Sequence, residues 1–266
     1  MNILNTAILF IFLGYFSSRA QSPYEVDWLT DSGITAVALG GTYFGFKEIK
    51  SKPFITTTEL NSLNPENIPF YDRWAVGNYS EKAEKVSDYP FYASFALPII
   101  FSLDNNQRSH AADIYGMYVQ SMAITGALYS LSAGLITRYR PLTYNKSLPF
   151  EKRTHSKNTR SFFGGHVAAT ATATFFTAKI YNDFNPNGGY TDIVWVGAVA
   201  IPLFVAYLRT KAGKHFLSDN VVGFLVGMTS GILVPELHKI TSSNESQNPE
   251  IKGIQRPFSI GYSFSF

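Results

Sequence analysis

Apolar positions along the chain fall in long blocks separated by polar intervals, and blocks of this length predict helices rather than strands. Six of them, approximately 31–46, 89–103, 111–137, 162–181, 191–208 and 216–237, read as membrane-crossing helices. The first two are short for a crossing, which needs about 20 mostly apolar residues. Several blocks are rich in Gly, Ala, Ser and Thr, as in HVAATATATFFTA and SMAITGALYSLSAG, a composition that lets helix backbones approach closely in lipid. The fold class predicted is all-α, a polytopic transmembrane bundle of about six spans. Ahead of it, the apolar run from Ile3 to Phe16 ends in Ser18, Arg19 and Ala20, a small-x-small pattern that reads as a secretory signal peptide cut after Ala20. The expected organisation is a signal at 1–20, a membrane-embedded domain at 21–240 and a tail at 241–266.

The polar intervals add to this picture. Between the first two blocks, Lys47 to Asp88 carries mixed charges and several prolines and predicts a loop with short amphipathic helices on the bilayer surface. Arg138 to Arg160 holds seven Lys or Arg against the single carboxylate of Glu151, as in loops that orient a membrane protein or touch lipid headgroups. The tail segment IQRPFSIGYSFSF alternates apolar and polar residues, but one strand cannot close a barrel, which takes about eight. Only 15% of residues are charged, against roughly a quarter in soluble domains, which suits a surface facing lipid. A net charge of +3 and the absence of any nucleic-acid motif argue against a nucleic-acid partner. The chain has no cysteine, which excludes disulfides, thiol catalysis and cysteine metal sites.

Three short pieces at the ends of predicted spans carry residues suited to chemistry: TRYRP at Thr137–Pro141, RSFFGGHVAAT at Arg160–Thr170, and LRTKAGKHFLSDNVVGF at Leu208–Phe224. If every span crosses, all three lie on one side of the membrane. His215 and Asp219 are four apart at a helix start, so they are expected to share a face, with Asp219 holding one ring nitrogen and leaving the other free as a nucleophile. An unpaired carboxylate inside an apolar segment costs about 2.5–3.5 kcal/mol, and His215 is its nearest candidate partner. Gly164 and Gly165 stand where a helix begins, so their amide N–H groups and the positive helix end predict an anion pocket. His166 beside it is placed to protonate a leaving oxygen. Arg140 and Arg209 supply charged forks that match phosphate oxygens. Arg140, Arg209, Lys211 and Lys214 also read as ordinary basic flanks of spans, and His110, His155 and His238 have no comparable setting.

The spacing Arg209-x5-His215-x3-Asp219, the SFFGGH ending in His166, and Arg140-Pro141 resemble, in order and separation, the three signature motifs of the type 2 phosphatidic acid phosphatase superfamily. The resemblance covers about Tyr89 to His238. It implies a helical bundle whose site lies at one membrane face and needs no metal or other cofactor. It implies that His215 attacks phosphorus to form a phosphohistidine, that Asp219 orients it, that His166 protonates the leaving group, and that Arg140 and Arg209 hold the phosphate. The implied substrate is a lipid phosphate or diphosphate, such as phosphatidate, phosphatidylglycerol phosphate, a polyprenyl diphosphate or a lipid A phosphate. The implied location is a bacterial envelope membrane, with the site facing the periplasm if the marginal segment 31–46 does not cross. The chain departs from the family at three places: Ala133 stands for the lysine of the first motif, Gly164 for the serine of the second, and Leu208 for the serine before Arg209. Arg138, Lys146 and Arg160 are candidates for the missing lysine. Two other readings follow from the departures and the basic loop: a catalytically silent member that binds anionic lipid headgroups, and a transporter or structural membrane protein.

Overall fold

The structure, a computed structural model, describes residues 22–186 and 188–240; the predicted signal and tail lie outside them. The described chain is all helical apart from isolated bridges. In order it forms α1 (Trp28–Ser51), α2 (Thr57–Ser62), α3 (Phe70–Arg73), α4 (Glu81–Ser94), α5 (Leu97–Phe101), α6 (Asn105–Arg108), α7 (Ala111–Leu135), α8 (Phe150–Thr154), α9 (Gly165–Phe184), α10 (Thr191–Lys211) and α11 (Leu217–Leu237).

The five long helices follow five of the six predicted blocks, and most extend beyond them. Segment 31–46 grows to the 24 residues of α1, because Asp27 caps its start by accepting from the Leu29 amide at 3.1 Å. Helix α1 packs in parallel along α7. Trp28 meets Gly116, Thr42 meets Gly126, and Glu48 meets Gly134, so equivalent ends lie together. A Cβ on Gly134 would stand 2.8 Å from that of Glu48, which explains the small residue at the crossing.

The predicted span 89–103 needs correction, since it is not one helix. The chain there forms α4 and α5, broken at Phe95 and Ala96. Pro98 stands in the first turn of α5; it offers no amide N–H, and its ring excludes the carbonyl four residues earlier. Helix α4 also begins eight residues before the predicted block, where Ser80 accepts from the Ala83 amide at 3.1 Å. Together α4 and α5 return the chain to the end from which α1 started, as the parallel packing of α1 and α7 demands. Its described residues therefore pass along the bundle six times. Two helices among the described residues, Thr191–Lys211 and Leu217–Leu237, are long and apolar enough to cross a membrane by hydropathy alone, at 1.8 and 1.5.

The centre of the bundle is α9, which packs against α11, α10, α7 and α4. A row of glycines on α11 makes the closest contact: Cβ atoms on Gly223, Gly227 and Gly231 would lie 2.5, 2.1 and 2.6 Å from the carbonyl oxygens of Gly164, Ala168 and Thr172. Spacing by four on each helix aligns the two rows, so backbone meets backbone. This contact locks the start of α9 to the start of α11, and the site is built there.

Candidate active site

All three motif segments meet at one end of the bundle. Residues 138–140 pair with 158–161 through Arg138 N to Thr159 O at 2.9 Å, Arg140 N to Asn158 O at 2.8 Å and Ser161 N to Arg138 O at 2.9 Å. The loop after α10 joins them when Leu142 N donates to Gly213 O at 3.1 Å. Gly213 has φ +72°, and any Cβ there would collide with the Asn78 carbonyl oxygen at 1.8 Å, so this turn requires glycine.

His215 is 2% exposed and sits in that loop, just before α11. Its Nδ1 lies 2.6 Å from the backbone oxygen of Ser161. A carbonyl only accepts, so Nδ1 carries the proton and Nε2 keeps its lone pair. Nε2 has no hydrogen-bond partner among the described residues. Burial, followed by the neighbouring Arg140 and Arg209 guanidinia, pushes the His215 ring well below its ordinary value and leaves it neutral.

The expected contact between Asp219 and His215 is not formed. Helix α11 starts at Leu217 and Phe216 is extended, so His215 lies outside the helix and shares no helical face with Asp219. Asp219 instead caps its own helix, accepting from the Phe216 amide at 2.8 Å. It also accepts from the Ser161 hydroxyl at 2.6 Å and pairs with Arg138. The carboxylate thus reaches His215 only indirectly, through Ser161. Gly164 also departs from expectation: its amide donates to the Asp219 carbonyl at 2.9 Å and is not open to an anion. A Cβ on Gly164 would lie 2.5 Å from Asn220 Oδ1. Asn220 is itself held by Ala206 O and Thr210 Oγ1. Gly165 opens α9 against the Tyr129 ring, which a Cβ would touch at 2.5 Å. Both glycines are explained by close packing.

The cations converge as expected. Arg140 and Arg209 are 6% and 5% exposed, and the Nε of each is buried without a partner. Arg140 forms no ion pair among the described residues. Burial, opposed in part by Tyr129 and reinforced by Arg209 and Arg160, pulls its guanidinium down to about 10, so it stays charged at neutral pH. Arg209 has the Ser87 hydroxyl at 3.3 Å and Asp88 at 3.7 Å. His166 stacks on Phe91 with centroids 4.2 Å apart, and its Nε2 stands 3.4 Å from Asp88.

Several members of this cluster were not singled out from the sequence. Lys214, which reads as a basic flank, is buried, and burial pulls its ammonium down to about 8 despite a 2.6 Å pair with Glu84. Glu84, Ser87, Asp88 and Phe91 form one face of α4, at the i, i+3, i+4, i+7 spacing of a buried helical stripe. Because three of the four are polar, hydropathy hides the stripe. Ala133, in the place of the missing lysine, is fully buried in α7, and of the three candidate substitutes Arg138 is committed to Asp72 and Asp219. A polar cavity of about 340 Å³ opens beside the cluster, lined in part by Glu84, Asp88, Asn158 and Lys214. Among the described residues no three His, Asp or Glu side chains gather as a metal would need.

Two buried arginines and a neutral histidine with an unbonded ring nitrogen meet at one end of a helical bundle, chemistry suited to an oxyanion. The family model described as the PAP2 superfamily matches residues 115–241, so this segment is similar to the type 2 phosphatidic acid phosphatase superfamily. The similarity suggests, in general terms, phosphatase activity on phosphate esters. No curated protein and no solved structure matches the chain.

Proposed function

We propose that the protein is an integral membrane phosphatase that hydrolyses a lipid phosphate or diphosphate through a phosphohistidine. The observation that carries this reading is the convergence of His215, His166, Arg140 and Arg209 at one bundle end, with His215 Nε2 left unbonded. Arg140 and Arg209 hold the non-bridging oxygens, and Lys214 supplies the third cation in place of the family lysine. Nε2 of His215 forms a bond to phosphorus as the bond to the lipid oxygen breaks, and His166 delivers the proton that this oxygen needs. Water then attacks the phosphohistidine, giving its proton to His166, and phosphate leaves with His215 regenerated.

The lipid setting is supported by the large apolar side chains that the long helices turn outward, with Leu29 86%, Val37 78% and Ile193 68% exposed. Six passes place both described ends of the chain at the end opposite the site. A chain starting outside the cytoplasm then has its site inside, and a chain starting inside has its site in the periplasm, the facing that the family resemblance favours. The chain has no cysteine, so a single Lys146→Cys variant in intact cells reports the facing by labelling with an impermeant maleimide. Labelling supports a periplasmic site, and protection until lysis refutes it.

The test of the activity is phosphate release by detergent-purified protein from a panel of lipid mono- and diphosphates, beside His215→Ala. Release by the wild type alone is expected. No release from any member of the panel favours the second reading, a silent binder of anionic headgroups, which the burial of Ala133 and the carboxylates of Glu84 and Asp88 beside the cations support.

A further inference from the structure

The segment before the matched family region contributes a buried carboxylate to the site end. Asp72, in α3, is 0% exposed and lies within the interval 47–88 expected to be a surface loop. One of its oxygens accepts from the Ser218 amide at 2.9 Å, and the other accepts from the Ser218 hydroxyl at 2.6 Å and from Arg138 at 2.7 Å. Arg138 extends its other nitrogen to Asp219 and to Ser218 Oγ at 3.0 Å, with its guanidinium 4.9 Å above the Phe216 ring. Asp219 holds the Ser161 hydroxyl, and the Ser161 carbonyl holds His215 Nδ1. Ser161 N in turn donates to Arg138 O at 2.9 Å. The chain of contacts is closed at every joint, and it ends on the ring that is to attack phosphorus.

We propose that Asp72, Arg138 and Ser161 are positioning residues which, with Asp219, set the orientation and tautomer of His215. This rests on the reading of His215 as nucleophile. The arrangement differs in kind from a carboxylate placed directly on the ring. A carboxylate at Nδ1 would favour the imidazolium, whereas the Ser161 carbonyl fixes the same tautomer without adding a charge beside it. The carboxylate charge is spent on Arg138, which is too far engaged with Asp72 and Asp219 to serve the phosphate. A fork that bridges two buried carboxylates needs the planar geometry of arginine, and a lysine ammonium at 138 reaches one of them at a time.

The experiment compares wild type, Asp72→Asn, Arg138→Lys and His215→Ala as full-length purified proteins. Lipid phosphate turnover is read together with the ¹⁵N signals of the five histidines, and His215→Ala identifies the signals of residue 215. In wild type those signals show a single neutral tautomer with the proton on Nδ1. Asp72→Asn and Arg138→Lys are expected to mix the tautomers and to lower kcat by about 10- to 100-fold, as loss of an outer-shell partner does, with KM within about twofold. A lower melting temperature with unchanged kcat and an unchanged residue-215 spectrum would overturn the proposal and leave a structural role. A raised KM at constant kcat would overturn it differently, by placing Arg138 on the substrate. If wild type releases no phosphate, the proposed function fails, and the tautomer of residue 215 in the two variants decides the positioning chain by itself.

Discussion

The two ends of the bundle both bury charge, but they treat it differently. At the end away from the site, Lys179 pairs with Asp183 and with Glu236, each at 2.5 Å, and Lys239 reaches Asp183 at 3.1 Å. The Tyr24 hydroxyl donates to Asp183 at 2.7 Å, and His238 pairs with Asp31 at 2.9 Å. The buried Lys179 and Asp183 there each have counterparts in the protein. At the site end Arg140 has none, Arg209 has only a distant Asp88, and both leave a buried Nε without an acceptor. A buried charge without a partner is costly unless a ligand completes it. The first end closes the bundle, and the second is suited to the anion of the proposed function. A cavity of about 470 Å³ lies at the first end between α1 and α7. Its walls are mostly apolar, and its polar Asp31 and His238 lie 2.9 Å from each other, so volume alone points away from the chemistry.

Matched substitutions should separate the two ends most strongly. Asp183→Asn leaves Lys179 and Lys239 short of an anion and is expected to cost about 3–5 kcal/mol of stability, the loss seen when one partner of a buried pair is removed. Arg140→Gln removes a buried charge that has no counterpart, so the free protein should be as stable as wild type or more so. The same change should lower turnover by about 10² to 10³, the cost of losing one preorganised donor, and should abolish stabilisation by vanadate. Thermal melts with and without vanadate check both variants. Equal destabilisation by the two would erase the distinction between the ends.

The sequence discloses this molecule unevenly. Helices α7, α9, α10 and α11 are legible because each is a long apolar block. His215, His166, Arg140 and Arg209 are legible because the motifs space them at helix ends. The α4–α5 pass is blurred because its polar face, from Glu84 to Asp88, turns toward the cations and the polar cavity beside them. Pro98 then divides it where hydropathy sees one run. Four-residue spacing suggests that Asp219 meets His215, but spacing is informative only inside a helix, and His215 precedes the first turn. Capping competes for a carboxylate at that position, and the Phe216 amide takes it. Gly164 reads as an anion-binding amide from its place at a helix start, yet the tertiary contact with α11 claims its N–H. Asp72 gives no local signal at all, since its partners Arg138 and Ser218 lie 66 and 146 residues away.

The measurement that bears most directly on the account is trapping of the covalent intermediate on residue 215. Wild type and His215→Ala are mixed with a ³²P-labelled lipid phosphate, quenched in alkali within the first turnover, and digested for mapping. The account predicts acid-labile, alkali-stable label on the peptide carrying His215. Because burial and the Arg140 and Arg209 guanidinia push the residue-215 ring well below its ordinary value, with Nε2 available, protonation of that ring should not limit labelling at pH 6. Label on another residue, or turnover that persists in His215→Ala, would contradict the account.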